Sequence, residues 1–120
     1  MLQRRYRLRS RTDIQQLFQE GKRWRHPLAV LVIRPNEQLF SRFGFAASRA
    51  VGNAVARNRA KRLLREVVRL HWCSLRPGYD CILIARQVTS QAAYVEVEGA
   101  VLSLLRRADL LSSESEAPQS

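Results

Sequence analysis

Residues Asn53 to Leu70 carry one periodicity for longer than any other stretch of the chain, and what they require constrains the rest. The stretch reads Asn-Ala-Val-Ala-Arg-Asn-Arg-Ala-Lys-Arg-Leu-Leu-Arg-Glu-Val-Val-Arg-Leu, with no Gly or Pro and mostly strong helix formers. At about 100° per residue, Ala56, Ala60, Leu63, Leu64, Val67 and Leu70 share one face. Asn58, Lys61, Arg62, Arg65 and Arg69 fall opposite, flanked by Arg57 and Arg59. The apolar stripe needs a sheet or helix to lie on. The guanidinium field does nothing for folding, because like charges at helical spacing repel, so it calls for a ligand.

The whole chain repeats that imbalance. It has 21 basic and 10 acidic residues in 120, a formal net charge of +11. Such a charge attracts polyanions, nucleic acid before an anionic membrane surface. The length fits one domain, read as 12–111, with a basic arm at 1–11 and a polar, acidic, disordered tail at 112–120. Cys73 and Cys81 have no metal-ligand spacing to another Cys or His and are read as free thiols of a reduced compartment. No apolar run reaches bilayer length and the basic N-terminus has no apolar signal core, so the expected protein is soluble and cytoplasmic.

In order along the chain, Arg4, Arg5, Arg7, Arg9 and Arg11 surround Tyr6 and Leu8. This is either a solubilising tail or an arm laid on phosphates with Tyr6 free to stack. Thr12 with Gln15 reads as a capping box for a short helix that buries Ile14, Leu17 and Phe18, and Gly21 as its left-handed cap. Lys22 to His26 reads as a basic turn before Pro27. Leu28 to Ile33 is an unbroken apolar strand, and Arg42 to Ser48 a second strand, most simply its hairpin partner. Gly52 and Asn53 start the long helix. Pro77-Gly78 turns the chain into a third strand, Tyr79 to Ala85, and Thr89 or Ser90 caps a last helix carrying Val95 to Leu105. The order helix-strand-strand-helix-strand-helix predicts an α/β two-layer sandwich of α+β type, with the long helix as a crossover.

Protein-borne catalysis finds no support in these residues. There is no His-Glu-x-x-His, no phosphate loop with its Lys and no nucleophile elbow. Asp13 and Asp80 are single carboxylates in different elements, and His71 at the basic helix end reads as a surface residue. A two-metal nuclease needs several convergent carboxylates. A membrane-coating helix would want Trp or Phe on its apolar face, and Asn53 to Leu70 has neither.

The segment Gly52 to Glu66, with Arg57-Asn58-Arg59 followed by Lys61-Arg62 and Arg65, closely resembles the signature of the bacterial ribonuclease P protein subunit. Arg7-Leu8, Phe18-x-x-Gly21, Gly44 to Ser48, Gly78-Tyr79-Asp80 and Ile84-Ala85-Arg86 extend the resemblance across about Arg4 to Leu105. It implies a small α/β sandwich with a left-handed β-α-β crossover, against the usual hand. It also implies a holoenzyme, the endoribonuclease ribonuclease P, in which the RNA component forms the active site and binds Mg²⁺. No protein residue is then catalytic and none binds a metal. The partners implied are ribonuclease P RNA and precursor tRNA with its 5′ leader, with no membrane and no obligate protein partner.

By that resemblance Arg49, Asn53, Arg57, Asn58, Arg59, Lys61, Arg62 and Arg65 match the surface for the catalytic RNA, and Arg69 shares their helix face. Ile14, Phe18 and Leu31 match a cleft for the leader, and Arg7, Arg9 and Arg11 are additional basic contacts. Ala50 stands where a second basic residue is common, and Ile14 and Leu31 where aromatics are common, so apolar contact replaces stacking there. The alternative is a ribosomal or general RNA-binding or chaperone protein using the same arginine face, with no role in tRNA processing.

Overall fold

The computed structural model describes residues 4–111; the acidic tail expected at 112–120 lies outside the described residues. The long helix forms as its sequence requires: α2 spans Ala54–Leu70. Asn53 caps it, the side-chain Oδ1 accepting from the Ala56 N–H at 2.9 Å. Gly52, at φ 140°, makes the turn into the cap in a region that disfavours a side chain. Ala60, Leu64, Val67 and Val68 are buried. The buried stripe is therefore rotated toward Val68. Leu70, expected on the apolar face, sits in the last turn at its margin and is 54% exposed.

Four strands form one sheet in the order β1-β2-β4-β3, with β1 at Lys22–His26, β2 at Ala29–Pro35, β3 at Arg42–Ala47 and β4 at Tyr79–Ala85. Two expectations are corrected here. Lys22 to His26 is not a turn but an edge strand, paired antiparallel with β2 from Lys22↔Ile33 to His26↔Ala29. Pro27 and Leu28 form the tight connection, and the Leu28 N–H donates to His26 Nδ1 at 3.1 Å. Trp24 packs on the core while Arg23 and Arg25 point to the other face, an alternation that marks a strand. Nor is β3 the hairpin partner of β2. It pairs parallel with β4, and β4 lies between the two. The chain from Asn36 to Ser41 passes over the start of β4, where the Asn36 N–H donates to Gly78 O at 2.9 Å.

The strand alternation assigns each face. Ala29, Leu31, Ile33, Phe43, Cys81, Leu83 and Ala85 meet α2 and the last helix α3, Tyr94–Arg107, in the main core. Burial pushes the Cys81 thiol well above its ordinary pKa, so it packs as a neutral hydrophobe. On the opposite face Val32 and Ile82 lie under Leu17 of helix α1, Arg11–Glu20, together with Leu8. The fold is α+β, and α1 adds a partial layer behind the sheet.

Leu8 is 4% exposed and its N–H donates to Phe43 O at 2.9 Å, so the basic arm joins the fold along the outer edge of β3. Tyr6, expected to be free for stacking, lies against Trp72 with ring centroids 4.7 Å apart and against Phe40 at 5.5 Å. At the other end Leu110 and Leu111 are buried, and Leu111 bridges to Leu75.

Three caps differ from expectation. Ser10, not Thr12, caps α1: its Oγ accepts from the Asp13 N–H at 3.3 Å. Neither Thr89 nor Ser90 caps α3. Both lie in a short 3-10 helix, Thr89–Gln91, where the buried Thr89 Oγ1 donates to Leu28 O at 2.7 Å. Ala93 precedes α3, and Glu96 accepts from its N–H at 2.9 Å. Gly21 is extended at φ −76°, not left-handed. Its requirement is space: a Cβ there would lie 2.5 Å from Leu17 O, 2.8 Å from Val32 Cγ1 and 2.9 Å from Ile33 O.

At the start of β4, Asp80 is buried and accepts from Arg42 Nε at 2.9 Å, Arg42 Nη2 at 2.7 Å and Asn36 Nδ2 at 2.9 Å. Arg42 also meets Asp13 of α1 at 3.3 Å. The hydrogen bond to Asp80, aided by both carboxylate charges, holds the Arg42 guanidinium above its ordinary pKa despite partial burial.

Chemical denaturation tests both contacts. Gly21→Ala should destabilise the protein by about 1–3 kcal/mol, since the obstructing atoms are main chain and core. Asp80→Ala should cost about 3–5 kcal/mol, because it strands a half-buried guanidinium and an amide. A loss below 1 kcal/mol in either would remove the role given to that residue.

Candidate nucleic-acid interface

The cations of helix α2 meet different partners. Toward β3, Arg65 lies over the Phe45 ring, its guanidinium carbon 5.3 Å from the centroid. Toward α3, Arg59 Nε donates to Ser90 O at 2.8 Å, which fixes the side chain but leaves its charge uncompensated. Arg69 is different. It makes two bonds to Glu66, at 3.0 and 2.6 Å, and the first cause of the lowered Glu66 pKa is this hydrogen bonding. Arg69, expected among the RNA contacts, is exposed and shares its guanidinium with the Glu66 carboxylate one turn away.

Arg57, Lys61 and Arg62 have no ion-pair partner among the described residues, nor does Arg49 in the short 3-10 helix Arg49–Val51 just upstream. Asn58 is exposed between them. Asn53 sits at the entry, its Oδ1 already spent on the cap. The arrangement supplies unpaired, partly pre-oriented guanidinium groups, which suit phosphate oxygens.

The second candidate surface needs a correction. Leu31, expected in the leader cleft, is 0% exposed and belongs to the main core against α2 and α3. Ile14 and Phe18 are half-buried on the other face. The register shows which strand residues join them. Arg25 pairs with Val30, Val30 with Ile84, and Ile84 with Ala46, giving one row across all four strands. Helix α1 buries the neighbouring row at Val32 and Ile82 but leaves Val30, Ile84 and Ala46 half-exposed.

Arg23 lies over the Phe18 ring at 5.4 Å and Arg25 closes the row at β1, so an apolar floor carries a basic rim. Val30, Ile84, Ala46, Arg23 and Arg25 are candidate residues of this surface that the sequence reading does not include. Parity was the available signal: two residues apart in a strand share a face, so Val30 goes with Val32, and Leu31 cannot.

Arg7 and Arg9 line a cavity of about 370 Å³ with Leu8, Phe43, Gly44, Phe45 and Arg65, while Arg11 starts α1 and is exposed. His71 pairs with Glu98 at 2.8 Å at the end of α2. Among the described residues no three His, Cys, Asp or Glu side chains group as a metal site, and no helix is long and apolar enough to cross a membrane.

Comparison with known proteins agrees on one family. A family model described as Ribonuclease P matches residues 2–109. The chain is 43% identical over 110 residues to the ribonuclease P protein component of Symbiobacterium thermophilum, covering 91% of this chain and 96% of that one. It is 38% identical over 107 residues to that of Alkaliphilus oremlandii, covering 89% and 94%. Among solved structures it superimposes on the Staphylococcus aureus RNase P protein with a TM-score of 0.81 at 28% identity, covering 89% of this chain and 98% of that one. The Thermotoga maritima RNase P protein gives 0.77 at 33% identity, covering 84% and 96%.

The differing status of the arginines can be read in a salt titration of RNA binding. Arg57→Ala and Arg62→Ala should each weaken binding and flatten the log–log salt slope by about 0.7–0.9. Arg69→Ala should change the slope little, since Glu66 already compensates that charge. Equal slopes for all three variants would refute the distinction.

Proposed function

Because the chain belongs to the ribonuclease P protein family, we propose that it is the protein subunit of a holoenzyme in which the RNA component performs the cleavage that removes the 5′ leader of precursor tRNA. The protein binds the catalytic RNA through Arg49, Arg57, Asn58, Arg59, Lys61, Arg62 and Arg65. It holds the leader over the row Arg25–Val30–Ile84–Ala46, with Ile14 and Phe18 beside it.

The observation that carries this reading is the placement of two RNA-compatible surfaces on opposite faces of one sheet. The unpaired cations of α2 lie on one side and the open apolar row with its arginine rim on the other. A protein that only coats RNA needs the first surface. The second suits an unpaired strand, whose bases can lie on apolar side chains while phosphates meet arginines.

Physically the protein reduces the repulsion between two RNAs and fixes the register of the leader. The scissile bond is thereby presented to divalent ions held by the RNA. Mg²⁺ supplies Lewis-acid and water-activating chemistry at that RNA site. The side chains described above offer phosphate contacts, not metal ligands. The expected location is the cytoplasm, with the transcripts being processed. The curated relatives reported above are named ribonuclease P protein components, and none supports a general chaperone.

Cleavage of precursor tRNA by a bacterial ribonuclease P RNA at low Mg²⁺, with and without the protein, is the direct test; no improvement would defeat the proposal. Ile84→Asp should separate the two surfaces. It should lower holoenzyme affinity for leader-bearing precursor roughly tenfold, leaving affinity for mature tRNA and for the catalytic RNA unchanged. Equal losses for precursor and mature tRNA would remove the leader from that row.

A further inference from the structure

The arm and α2 approach each other across the outer edge of β3. Leu8 donates its N–H to Phe43 O, and the arm follows β3 only that far. Main-chain groups alternate along a strand, so the Phe45 N–H faces the same outer edge as Phe43. It makes no hydrogen bond to the described residues of the arm. Where the pairing stops, the cavity of about 370 Å³ opens, and its lining among the described residues includes Arg7 and Arg9 from the arm, Arg65 from α2 and no carboxylate.

Each of the two arginines that matter most is held by a different element. Arg65 is set by its stacking on Phe45. Arg9 is exposed, without an ion-pair partner among the described residues, one residue after the buried Leu8 and one before the α1 cap Ser10. The chain on both sides of Arg9 is thus anchored, and little ordering entropy is left to lose on binding.

We propose that Arg9 and Arg65 clamp a single phosphodiester of the catalytic RNA across the β3 edge, with the Phe45 N–H as a third donor. The inference rests on the function proposed above and deepens it: the arm becomes part of the same RNA surface as α2, not a separate diffuse contact. An exposed strand edge also invites an extended peptide. Arg9 and Arg65, with no acidic side chain among the described residues that line the opening, favour a polyanion instead.

A double-mutant cycle on affinity for the cognate ribonuclease P RNA tests the clamp. Arg9→Ala and Arg65→Ala should each weaken binding roughly three- to tenfold. Arg65→Gln, which keeps a planar group over Phe45, is measured alongside to exclude a packing effect. If both arginines hold one phosphate, Arg9→Ala with Arg65→Ala should lose little more than the larger single loss. Arg9→Ala with Arg62→Ala should show losses that multiply, because Arg62 lines the α3 side of α2. Hydroxyl-radical footprinting should lose the same short protected segment in Arg9→Ala and Arg65→Ala and retain it in Arg62→Ala. Multiplying losses in both pairs, or no loss in either single variant, would overturn the clamp while wild-type binding leaves the proposed function standing. Failure of the wild-type protein to bind this RNA would overturn both.

Discussion

A buried carboxylate at the start of β4 is the constraint on which the rest depends. Asp80 takes two bonds from Arg42 and one from Asn36, and Arg42 reaches on to Asp13. One charge therefore ties the first residue of β3, the loop that crosses above β4 and the first helix to the central strand. Arg42 and Asp80 are register partners in the parallel β3–β4 pair. A slip by one residue would break the ion pair and send every side chain of β3 to the other face. Burying a charge is costly unless it is fully paired. The cost is offset because a single cluster determines the register, the loop path and the seat of α1.

That register produces two different surfaces from one sheet. On the α2 side, large aliphatics of the sheet pack against Leu64, Val67, Leu104 and Leu105 in the main core. On the α1 side a single short helix covers only part of the sheet. Gly21 lets it approach so closely that Leu17 seals Val32 and Ile82, and Val30, Ile84 and Ala46 remain half-open beyond it. The open row thus follows from a helix of 10 residues on a four-stranded sheet, once the register is set.

How much of this was legible varied with the physics behind each element. Helix α2 was readable because its capping and periodicity are local, down to the Asn53 cap. The α+β class followed from the mixture of patterns. The strand order did not, because pairing is decided by distant partners: nothing within Arg42 to Ser48 says that its neighbour is β4 and not β2. β1 was hidden by composition, four of its five residues being Lys, Arg or His. Such a strand is held by Trp24 on the core, by its pairing with β2 and by contacts from Phe18 and Arg107, all of them distant in sequence. The caps were missed where a side chain two residues away competed, as Ser10 did with Thr12.

The arginine set illustrates the remaining gap between sequence and site. On a helical wheel Arg57, Arg59, Arg62, Arg65 and Arg69 form one broad basic face, since a wheel reports direction and not partners. In the folded chain they divide by what each meets. Ser90 fixes Arg59, Phe45 supports Arg65, Glu66 compensates Arg69, and Arg57 and Arg62 remain open to an external anion. Folding thereby converts a uniform field into positions with different orientation and different available charge. An anion with phosphates at fixed spacing will discriminate among those positions, where counterions in solution will not. The same reasoning explains why Leu31 of β2 is buried where the sequence suggests an open cleft. Leu31 and Val30 differ little in chemistry, and only the parity of a strand anchored by distant contacts puts one in the core and the other on the open floor.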